Sequence, residues 1–282
     1  MNDGSTDATL AIISQIHDTR IQVFSFENAG GNVSRNRGLK YAIGEFISFL
    51  DADDIWMNDK LVNQLKALEE NPQMTVAYSW SNHIDENDQY IVSGGRFNLK
   101  GDVYEKLLVA NFLENGSNPL IRRENLISLG GFDESLPAGQ DWDMWLRLAA
   151  RFEFICVPHV HILYRTSENS ISTNLPRQEK ACLFVLDKAC QERQPTNNFN
   201  IKESLANLYQ YLTRKSLQKP YSRHKALTGI KFLYYYTIYE YLNLQKAITI
   251  ARLALKILIV IISPPLLYLI EKKSKYSLIF NP

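Results

Sequence analysis

The sequence predicts an α/β fold, a mixed and largely parallel sheet flanked by helices, with a basic helical C-terminal extension. Helical and strand patterns alternate over residues 6–81, which is typical of parallel strands joined by helices. The apolar run 45–50 ends at the acidic cluster Asp51–Asp54, and in such folds the ligand site lies beyond the carboxyl ends of the strands. Residues 204–282 carry a net charge of +10, against −9 for residues 1–203.

The first 81 residues contain three predicted helices and three predicted strands. Leu10, Ile13 and Ile16 have the spacing of one helical face. The run 45–50 is apolar without alternation, as expected for a strand buried on both faces. The predicted elements are a helix at 6–17, a strand at 21–26, a helix at 33–43, a strand at 45–50, a helix from 58 or 59 to about 71, and a strand at 75–81.

The pattern loosens after residue 94 and becomes predominantly helical after Pro176. The elements predicted between them are a helix at 103–110, a strand at 119–122, a turn at Gly130-Gly131, a helix at 142–150, and strands at 152–157 and 161–165. A boundary falls between residues 175 and 200. We therefore expect a first domain over 1–175 and a helical region over 176–282.

The segment 253–270 is apolar apart from Lys256, Ser263 and the pair Pro264-Pro265. A spanning helix needs about 20 apolar residues, and proline interrupts a helix. We therefore favour an interfacial or re-entrant membrane association over a true span. The basic residues of the tail suit anionic lipid headgroups, so an anionic membrane surface is the expected partner of this region.

Composition excludes several other classes. With 282 residues and 45% hydrophobic content the chain can bury a sizeable core. A net acidic front part argues against a nucleic-acid groove there. The three cysteines lack metal-ligand spacing, which indicates idle or buried thiols in a reducing cytoplasm. Met1 is followed by a polar run, so no signal-peptide pattern opens the sequence.

Asp51 and Asp53 form a D-x-D pair where a predicted strand enters a loop. Two residues apart on an extended chain, their carboxylates point to the same side. Mg²⁺ or Mn²⁺ binds through one or two carboxylates with phosphate oxygens completing the shell. The alternative is an acidic turn that caps the next helix, and Asp54 and Asp59 fit that interpretation.

Asp141 lies at the predicted start of a helix that carries Trp142, Trp145 and Leu148 at apolar spacing. It is either an ordinary helix cap or a general base that takes a proton from an acceptor hydroxyl. Asp143 is expected to face solvent or a structural partner.

Asp3 and Arg35 are the remaining candidates for donor binding. Asp3 is in a loop before a helix, where it can hydrogen-bond a base or ribose. Arg35 is in the first turns of the second helix, where its guanidinium and the helix N-terminus both attract a diphosphate. A capped turn and a surface arginine are the structural alternatives.

Taken together, five stretches resemble the family 2 glycosyltransferases of the GT-A fold, in family order over residues 1–175. They are N-D-G-S-T-D, S-R-N-R-G-L, F-L-D-A-D-D-I-W, G-G-F-D-E and Q-D-W-D-M-W-L-R. The resemblance implies that Asp3 contacts the nucleoside, that Asp51 faces the ribose, that Asp53 holds the metal and that Asp141 is the base. It also implies a single displacement with inversion and, most often, a UDP-sugar donor.

Three departures from the family pattern stand out. Gln140 replaces a frequent glutamate, and Ser167 replaces a histidine that can join the metal or diphosphate. The family's first β-α-β unit has no counterpart before the Asn2–Asp7 loop. We therefore expect an N-terminally truncated catalytic domain with an incomplete nucleoside pocket.

Two functions follow as hypotheses. The first is a hexosyltransferase-like enzyme, dependent on Mn²⁺ or Mg²⁺, that transfers sugar to a polysaccharide or glycolipid acceptor at the cytoplasmic face of the membrane, or in the cytoplasm. The second is a catalytically inactive, truncated glycosyltransferase that acts as a nucleotide-binding or membrane-bound interaction protein. A helix-loop-helix calcium site is disfavoured, because residues 51–59 lack its alternating acids, central glycine and closing glutamate.

Overall fold

The structure is a computed structural model that describes residues 1–166 and 174–273, the last three of them by their backbone alone. Its strands are β1 (Asn2–Asp3), β2 (Ser25–Phe26), β3 (Phe46–Ser48), β4 (Ile55–Trp56), β5 (Met74–Ile84), β6 (Tyr90–Ser93), β7 (Lys100–Gly101), β8 (Leu120–Arg122) and β9 (Glu153–Arg165). Its helices are α1 (Thr9–Ser14), α2 (Gly31–Tyr41), α3 (Lys60–Glu69), α4 (Tyr104–Val109), α5 (Arg123–Ser128), α6 (Gln140–Ala149), α7 (Leu175–Glu192), α8 (Ile201–Ser216), α9 (Arg223–Tyr239), α10 (Leu244–Ile262) and α11 (Pro264–Lys273).

The described residues divide into two compact units. The first consists of 1–107, 111–166 and 191–193. The second consists of 108–110, 174–190 and 194–273. The predicted sheet lies in the first unit, and the helices α8 to α11 lie in the second.

The main sheet has the order β3-β8-β5-β9-β4, with β6 added to β5 and β7 added to β9. Its central pairing, β5 with β9, is parallel, and a separate pair of strands, β1 with β2, is also parallel. The other pairings in the described chain are antiparallel. The predicted mixed α/β sheet is confirmed, but the expectation that parallel pairing predominates is wrong.

The physical reason for the difference lies in the connections. Parallel neighbours require a long crossover, whereas short connections return a strand antiparallel. The turn at 85–89 returns β6 antiparallel alongside β5. The short strands β8 and β7 also pair antiparallel, with β5 and β9 respectively. The predicted strand at 119–122 corresponds to β8, whereas β6 and β7 were not predicted.

Predicted elements are confirmed most closely where an apolar face is buried. Helix α3 begins after Asp59 and buries Leu68 against the sheet, in a core with Met74, Ala77 and Leu120. The predicted strands at 152–157 and 161–165 form one strand, β9, whose register shifts around Pro158. Proline has no N–H for the ladder, so an irregularity replaces the predicted break.

Near residue 1 the elements are shorter than predicted. Helix α1 covers six residues, none of them buried. The strand predicted at 21–26 reduces to β2, because Ile21 and Val23 are 45% and 47% exposed and do not pair in the ladder. A short apolar run predicts a strand only if a neighbour covers it.

The predicted apolar segment 253–270 is divided between α10 and α11 at Ser263. Within the described part of the chain, no helix combines the length and the apolarity needed to cross a membrane. One side of α10 packs through Leu253, Ile257 and Val260, which are buried. None of the three cysteines, all of which are described, forms a disulfide.

Candidate active site

Arg35 and Asp51 form an ion pair, with Nη2 and Oδ1 2.5 Å apart. Arg35 is in the first turns of α2, and Asp51 follows β3, so the fold joins two of the predicted motifs directly. The guanidinium carbon is 5.5 Å from the ring centroid of Phe132, from the G-G-F-D-E stretch. Arg35 was predicted to meet a diphosphate; in this structure it neutralises the first aspartate of the D-x-D pair.

Gly116, which has no side chain, lies next to this ion pair. A Cβ built on Gly116 would lie 3.2 Å from Nη2 of Arg35 and 3.4 Å from Oδ2 of Asp51. The loop before β8 therefore approaches the pair as closely as glycine permits.

Asp53 is exposed, and its carboxylate makes no hydrogen bond or ion pair within the described residues. Only its backbone carbonyl is engaged, by Nε of Arg165 at 2.8 Å. This carboxylate is therefore the one in the D-x-D loop that can accept a cation without first breaking another contact.

Asp54 has a structural role, but it does not cap the following helix as the alternative interpretation of this loop expected. One carboxylate oxygen accepts the Ser117 hydroxyl at 2.6 Å, and the other accepts the Arg165 backbone N–H at 2.9 Å. Burial raises the pKa of Asp54 to about 6, although both hydrogen bonds act in the opposite direction. The side chain fixes the loop to β9 and to the segment before β8.

Asp141 is the second residue of α6, two positions further into the helix than the predicted cap position. One of its oxygens accepts the backbone N–H of Trp142 at 2.9 Å. Burial raises the pKa of Asp141 above its ordinary value, while the charge of Arg35 lowers it and that of Asp51 raises it. Asp141 therefore lies within electrostatic range of the Arg35–Asp51 pair.

Tyr164, near the end of β9, lies among the same carboxylates. Burial raises the pKa of its phenol, and the charges of Asp141, Asp54 and Asp51 raise it further. No sequence motif identified Tyr164, because an aromatic residue in a strand usually indicates packing. It is a site residue that only the folded chain reveals.

Asp143 is buried and pairs with Arg147, whose Nε lies 2.8 Å from its Oδ2. Of the two environments predicted for this residue, the structural partner is the one observed. Arg147 also donates to the carbonyls of Leu129 and Gly131. The pair thus fastens α6, and with it Asp141, to the G-G-F-D-E turn.

Asp3 holds the loop that precedes α2. Its two oxygens accept the backbone N–H groups of Ala29 and Gly30 at 3.0 and 2.8 Å, and Arg37 lies 3.3 Å away. Gly30 is the cap residue of α2. Asp3 therefore lies at the N-terminal end of the helix that carries Arg35, and within the described part of the chain no hydrogen bond or ion pair joins it to Asp51.

The donor set for a divalent metal is small. Within the described residues, no three histidine, cysteine or acidic side chains are grouped as a metal site. The unpartnered carboxylate of Asp53 nevertheless fits a hard cation whose other ligands are phosphate oxygens and water. Ser167, the departure noted near this site, lies outside the described residues.

Ser117 is the site residue that sequence reasoning missed most clearly. Its hydroxyl also accepts the Asp51 backbone N–H at 3.0 Å, and its carbonyl accepts the Trp56 indole N–H at 2.8 Å. A polar Gly-Ser-Asn run just before a predicted strand was the available signal. It became informative only when β8 was placed beside β3.

The chain is similar in sequence to known proteins over most of its length. Residues 1–216 match a family model described as "Glycosyltransferase like family 2". The match extends past the predicted limit of the resemblance, residue 175, to the end of α8.

Two curated relatives illustrate the likeness. The Escherichia coli "UDP-Glc:alpha-D-GlcNAc-diphosphoundecaprenol beta-1,3-glucosyltransferase WfgD" is 31% identical over 194 residues, 66% of this chain and 71% of that protein. An uncharacterized glycosyltransferase of Rickettsia bellii is 33% identical over 156 residues, 54% of this chain. The matched region is only 22% of that protein, and the chain likewise spans about a quarter of two further rickettsial relatives, 25% of each.

Among solved structures, a mannosyltransferase from Pyrobaculum calidifontis, in complex with GDP-Man and Mn²⁺, superposes with a TM-score of 0.52. It is 20% identical, and the alignment covers 85% of this chain and 65% of that one. At this identity the likeness concerns the fold, which is the GT-A arrangement predicted from the motifs.

Proposed function

This chain belongs to the family 2 glycosyltransferases, and from that premise we propose that it transfers a sugar from a nucleoside-diphosphate sugar to a glycan or glycolipid hydroxyl, with inversion at the anomeric carbon. The observation that carries the proposal is the Arg35–Asp51 ion pair, which lies within electrostatic range of Asp141 and two residues before the Asp53 carboxylate, unpartnered among the described residues. It combines a base, a cationic group and an open cation site at one edge of the sheet.

Asp141 is suited to the role of base. The acceptor oxygen attacks the anomeric carbon, the bond from that carbon to the diphosphate oxygen breaks, and the hydroxyl proton passes to the Asp141 carboxylate. A raised pKa makes a carboxylate a better proton acceptor near neutral pH. Burial supplies that increase here.

Arg35 and Asp53 would serve the leaving diphosphate. Asp53 would hold Mn²⁺ or Mg²⁺, which when bound neutralises charge developing on the diphosphate. Arg35 already points a guanidinium at Asp51, and a guanidinium has five N–H donors. Those not used by Asp51 can bind phosphate oxygens next to the N-terminus of α2.

We propose a UDP-sugar as the donor. The name of the Escherichia coli relative specifies UDP-Glc, which supports a uridine nucleotide as the donor of this chain. In this scheme Asp3 binds the nucleoside and Asp51 faces the ribose. Gly30, whose amide holds Asp3, has a positive φ of 91°, a conformation that favours glycine and exposes backbone donors.

We further propose that the acceptor is a polysaccharide or a glycolipid and that the second unit rests on the cytoplasmic face of an anionic membrane. The same relative's name specifies a diphosphoundecaprenol-linked sugar acceptor, which is embedded in lipid. The excess of Lys and Arg after residue 204 supports attraction to lipid headgroups.

Release of UDP from UDP-glucose in the presence of Mn²⁺ tests the enzymatic proposal. The wild type should turn over, and Asp141→Asn, which keeps the shape of the side chain, should be slower by about 10²-fold or more. Equal turnover of both proteins would refute the assignment of Asp141. Absence of turnover by the wild type with all common UDP- and GDP-sugars, together with retained UDP binding, would instead support the inactive nucleotide-binding alternative.

A further inference from the structure

The turn at residues 111–116 contains three side-chain oxygens that accept no hydrogen bond from the described residues. They belong to Asn111, Glu114 and Asn115, and each is shielded from solvent. Asn115 is 2% exposed, and its amide nitrogen donates to the Ser81 hydroxyl while its oxygen has no partner. Buried acceptors are normally paired, so three unpaired ones on one turn suit a ligand that carries hydrogen-bond donors.

Glu114 is held in an unusual conformation. Its φ is +69°, in the left-handed region that non-glycine residues rarely adopt. One carboxylate oxygen accepts the Gly95 N–H at 2.6 Å. A Cβ on Gly94 would lie 2.0 Å from the other oxygen, so only glycine at 94 permits this placement. Strain of this kind persists where the surrounding structure imposes it, and it is common at binding sites.

His83 faces the same carboxylate from β5. Its Nε2 lies 3.6 Å from Oε2 of Glu114, which is too far for a hydrogen bond and close enough for both to contact one hydroxyl. The side chains of His83 and Glu114 are 23% and 21% exposed. Part of each side chain is therefore accessible from solvent, although Oε2 of Glu114 itself is enclosed.

The turn is next to the proposed catalytic groups. The His83 ring packs edge-on against Tyr164, with ring centroids 5.3 Å apart. The charge of Asp141 raises the pKa of the Tyr164 phenol. Gly116, two residues after Glu114, borders the Arg35–Asp51 pair. The pair His83–Glu114 thus lies on the Asp141 side of the first unit, where an acceptor must bind to give up its proton.

We propose that His83, Glu114 and the turn 111–116 form the subsite for the acceptor sugar, binding a ring hydroxyl next to the one that is glycosylated. The inference rests on the proposed glycosyltransferase function. The chemistry favours a neutral, hydroxyl-rich ring, because the unpartnered groups are acceptors and hydroxyls supply donors. A carboxylate repels phosphate, so the diphosphate of a lipid-linked acceptor lies away from this turn.

Binding of methyl α-N-acetylglucosaminide, measured by saturation-transfer NMR in the presence of UDP and Mn²⁺, tests the subsite. Glu114→Gln keeps the oxygen that accepts from Gly95 and removes the charge. It should weaken binding of this glycoside by about tenfold or more, since hydrogen bonds to charged groups are among the strong ones. His83→Gln should weaken it in the same direction.

The matched control is Glu86→Gln, an identical change at an exposed acid beyond the end of β5. It should leave glycoside binding and the release of UDP from UDP-glucose unchanged, and all three variants should unfold in urea at the wild-type midpoint. Wild-type affinity in both Glu114→Gln and His83→Gln would overturn the proposal, as would absence of glycoside binding by the wild type.

Weaker glycoside binding in Glu114→Gln together with a lower urea midpoint would show that the turn supports the fold rather than the acceptor. Donor hydrolysis in the wild type reports separately on the enzymatic function. Its absence would refute the proposed function, whereas its presence without the expected change in Glu114→Gln would refute the subsite alone.

Discussion

The hydroxyl of Ser117 donates to the carboxylate of Asp54 across 2.6 Å, although 63 residues separate them in the sequence. The same hydroxyl accepts the Asp51 backbone N–H. One buried serine thus connects the start and the end of the D-x-D loop to the segment before β8. The conformation of the proposed metal loop depends on this long-range contact, which no local motif specifies.

Ser117→Ala should therefore destabilise the loop and the first unit. It removes two hydrogen bonds and leaves the buried Asp54 oxygen without its donor, which we expect to lower the free energy of unfolding by about 2 kcal/mol. Urea denaturation measures this change. Ser128→Ala, at an exposed helical serine, is the control and should stay within about 0.5 kcal/mol of the wild type. Equal stability of both variants would contradict the role of Ser117.

Asp53 is predicted to be the metal ligand because its carboxylate alone in the loop has no partner among the described residues. In Asp53→Asn the Mn²⁺ concentration for half-maximal UDP release should rise about tenfold or more, since a neutral amide binds a hard cation less strongly. Asp59→Asn changes an exposed acid a few residues away and is the control. Unchanged Mn²⁺ dependence in Asp53→Asn would reassign the ligand.

The pH dependence of transfer should report the environment of Asp141. Its pKa is raised by burial, so the rate should fall on acidification at a pH above the ordinary aspartate value of 3.8. The base must be ionised to accept a proton, which fixes this sign. Asp141→Asn should lack this acid limb, and Asp53→Asn should retain it. A limb that persists in Asp141→Asn would belong to another group.

The sequence identified the residue types of the site better than their contacts. Arg35, Asp51, Asp53 and Asp141 were predicted from motifs, and the fold brings Arg35, Asp51 and Asp141 together as neighbours. The Arg35–Asp51 ion pair was not predicted, because it requires α2 to be placed against the end of β3.

Ser117, Glu114 and His83 were missed for a related reason. Each is an ordinary polar residue whose position becomes informative only after β8 and β5 pair in the sheet. Helices with one buried face, such as α3, were predicted closely, since periodicity records burial directly. Strands of two or three residues are too short to show a hydrophobic periodicity, so periodicity does not predict them.

Exposed apolar side chains on α10 predict a membrane-contacting face. Leu255 and Leu258 are 49% and 53% exposed, and Arg252 and Lys256 are on the same helix. Sedimentation with phosphatidylglycerol vesicles should recover the wild type, and high salt should reduce the recovery. The double change Leu255→Gln and Leu258→Gln should weaken binding about tenfold, because it removes apolar surface that would enter the interface.

Ile12→Gln is the matched control for that experiment, since Ile12 is 61% exposed on α1 in the first unit. It should sediment like the wild type. Equal recovery with phosphatidylcholine vesicles would exclude the electrostatic contribution, and equal recovery of the α10 double variant would exclude this face.

Lys60 gives the first unit a distinctive pH dependence of stability. It is fully buried, and its Nζ donates to Ser48 and Gln64 and lies 4.1 Å from the ring centroid of Trp56. Burial lowers its pKa from 10.5 to about 7. Between these values the unfolded chain binds more protons than the folded one, so stability should rise with pH. From pH 7 to 8.5 we expect a gain of about 1–2 kcal/mol from this group.

Lys60→Met should abolish that gain while filling a similar volume, and Lys66→Met, at an exposed lysine of the same helix, should keep it. Urea denaturation of the three proteins at pH 7 and 8.5 measures the difference. Lys215, whose pKa burial lowers to about 8, affects all three equally and cancels in the comparison. A pH-independent difference between Lys60→Met and the wild type over this range would mean that Lys60 stays charged in the folded chain, as it does in the unfolded chain. The Lys60 amino group packs on Trp56, whose indole N–H donates to the Ser117 carbonyl. The same experiment therefore also measures how far the packing of Lys60 on Trp56 stabilises the residues next to the D-x-D loop.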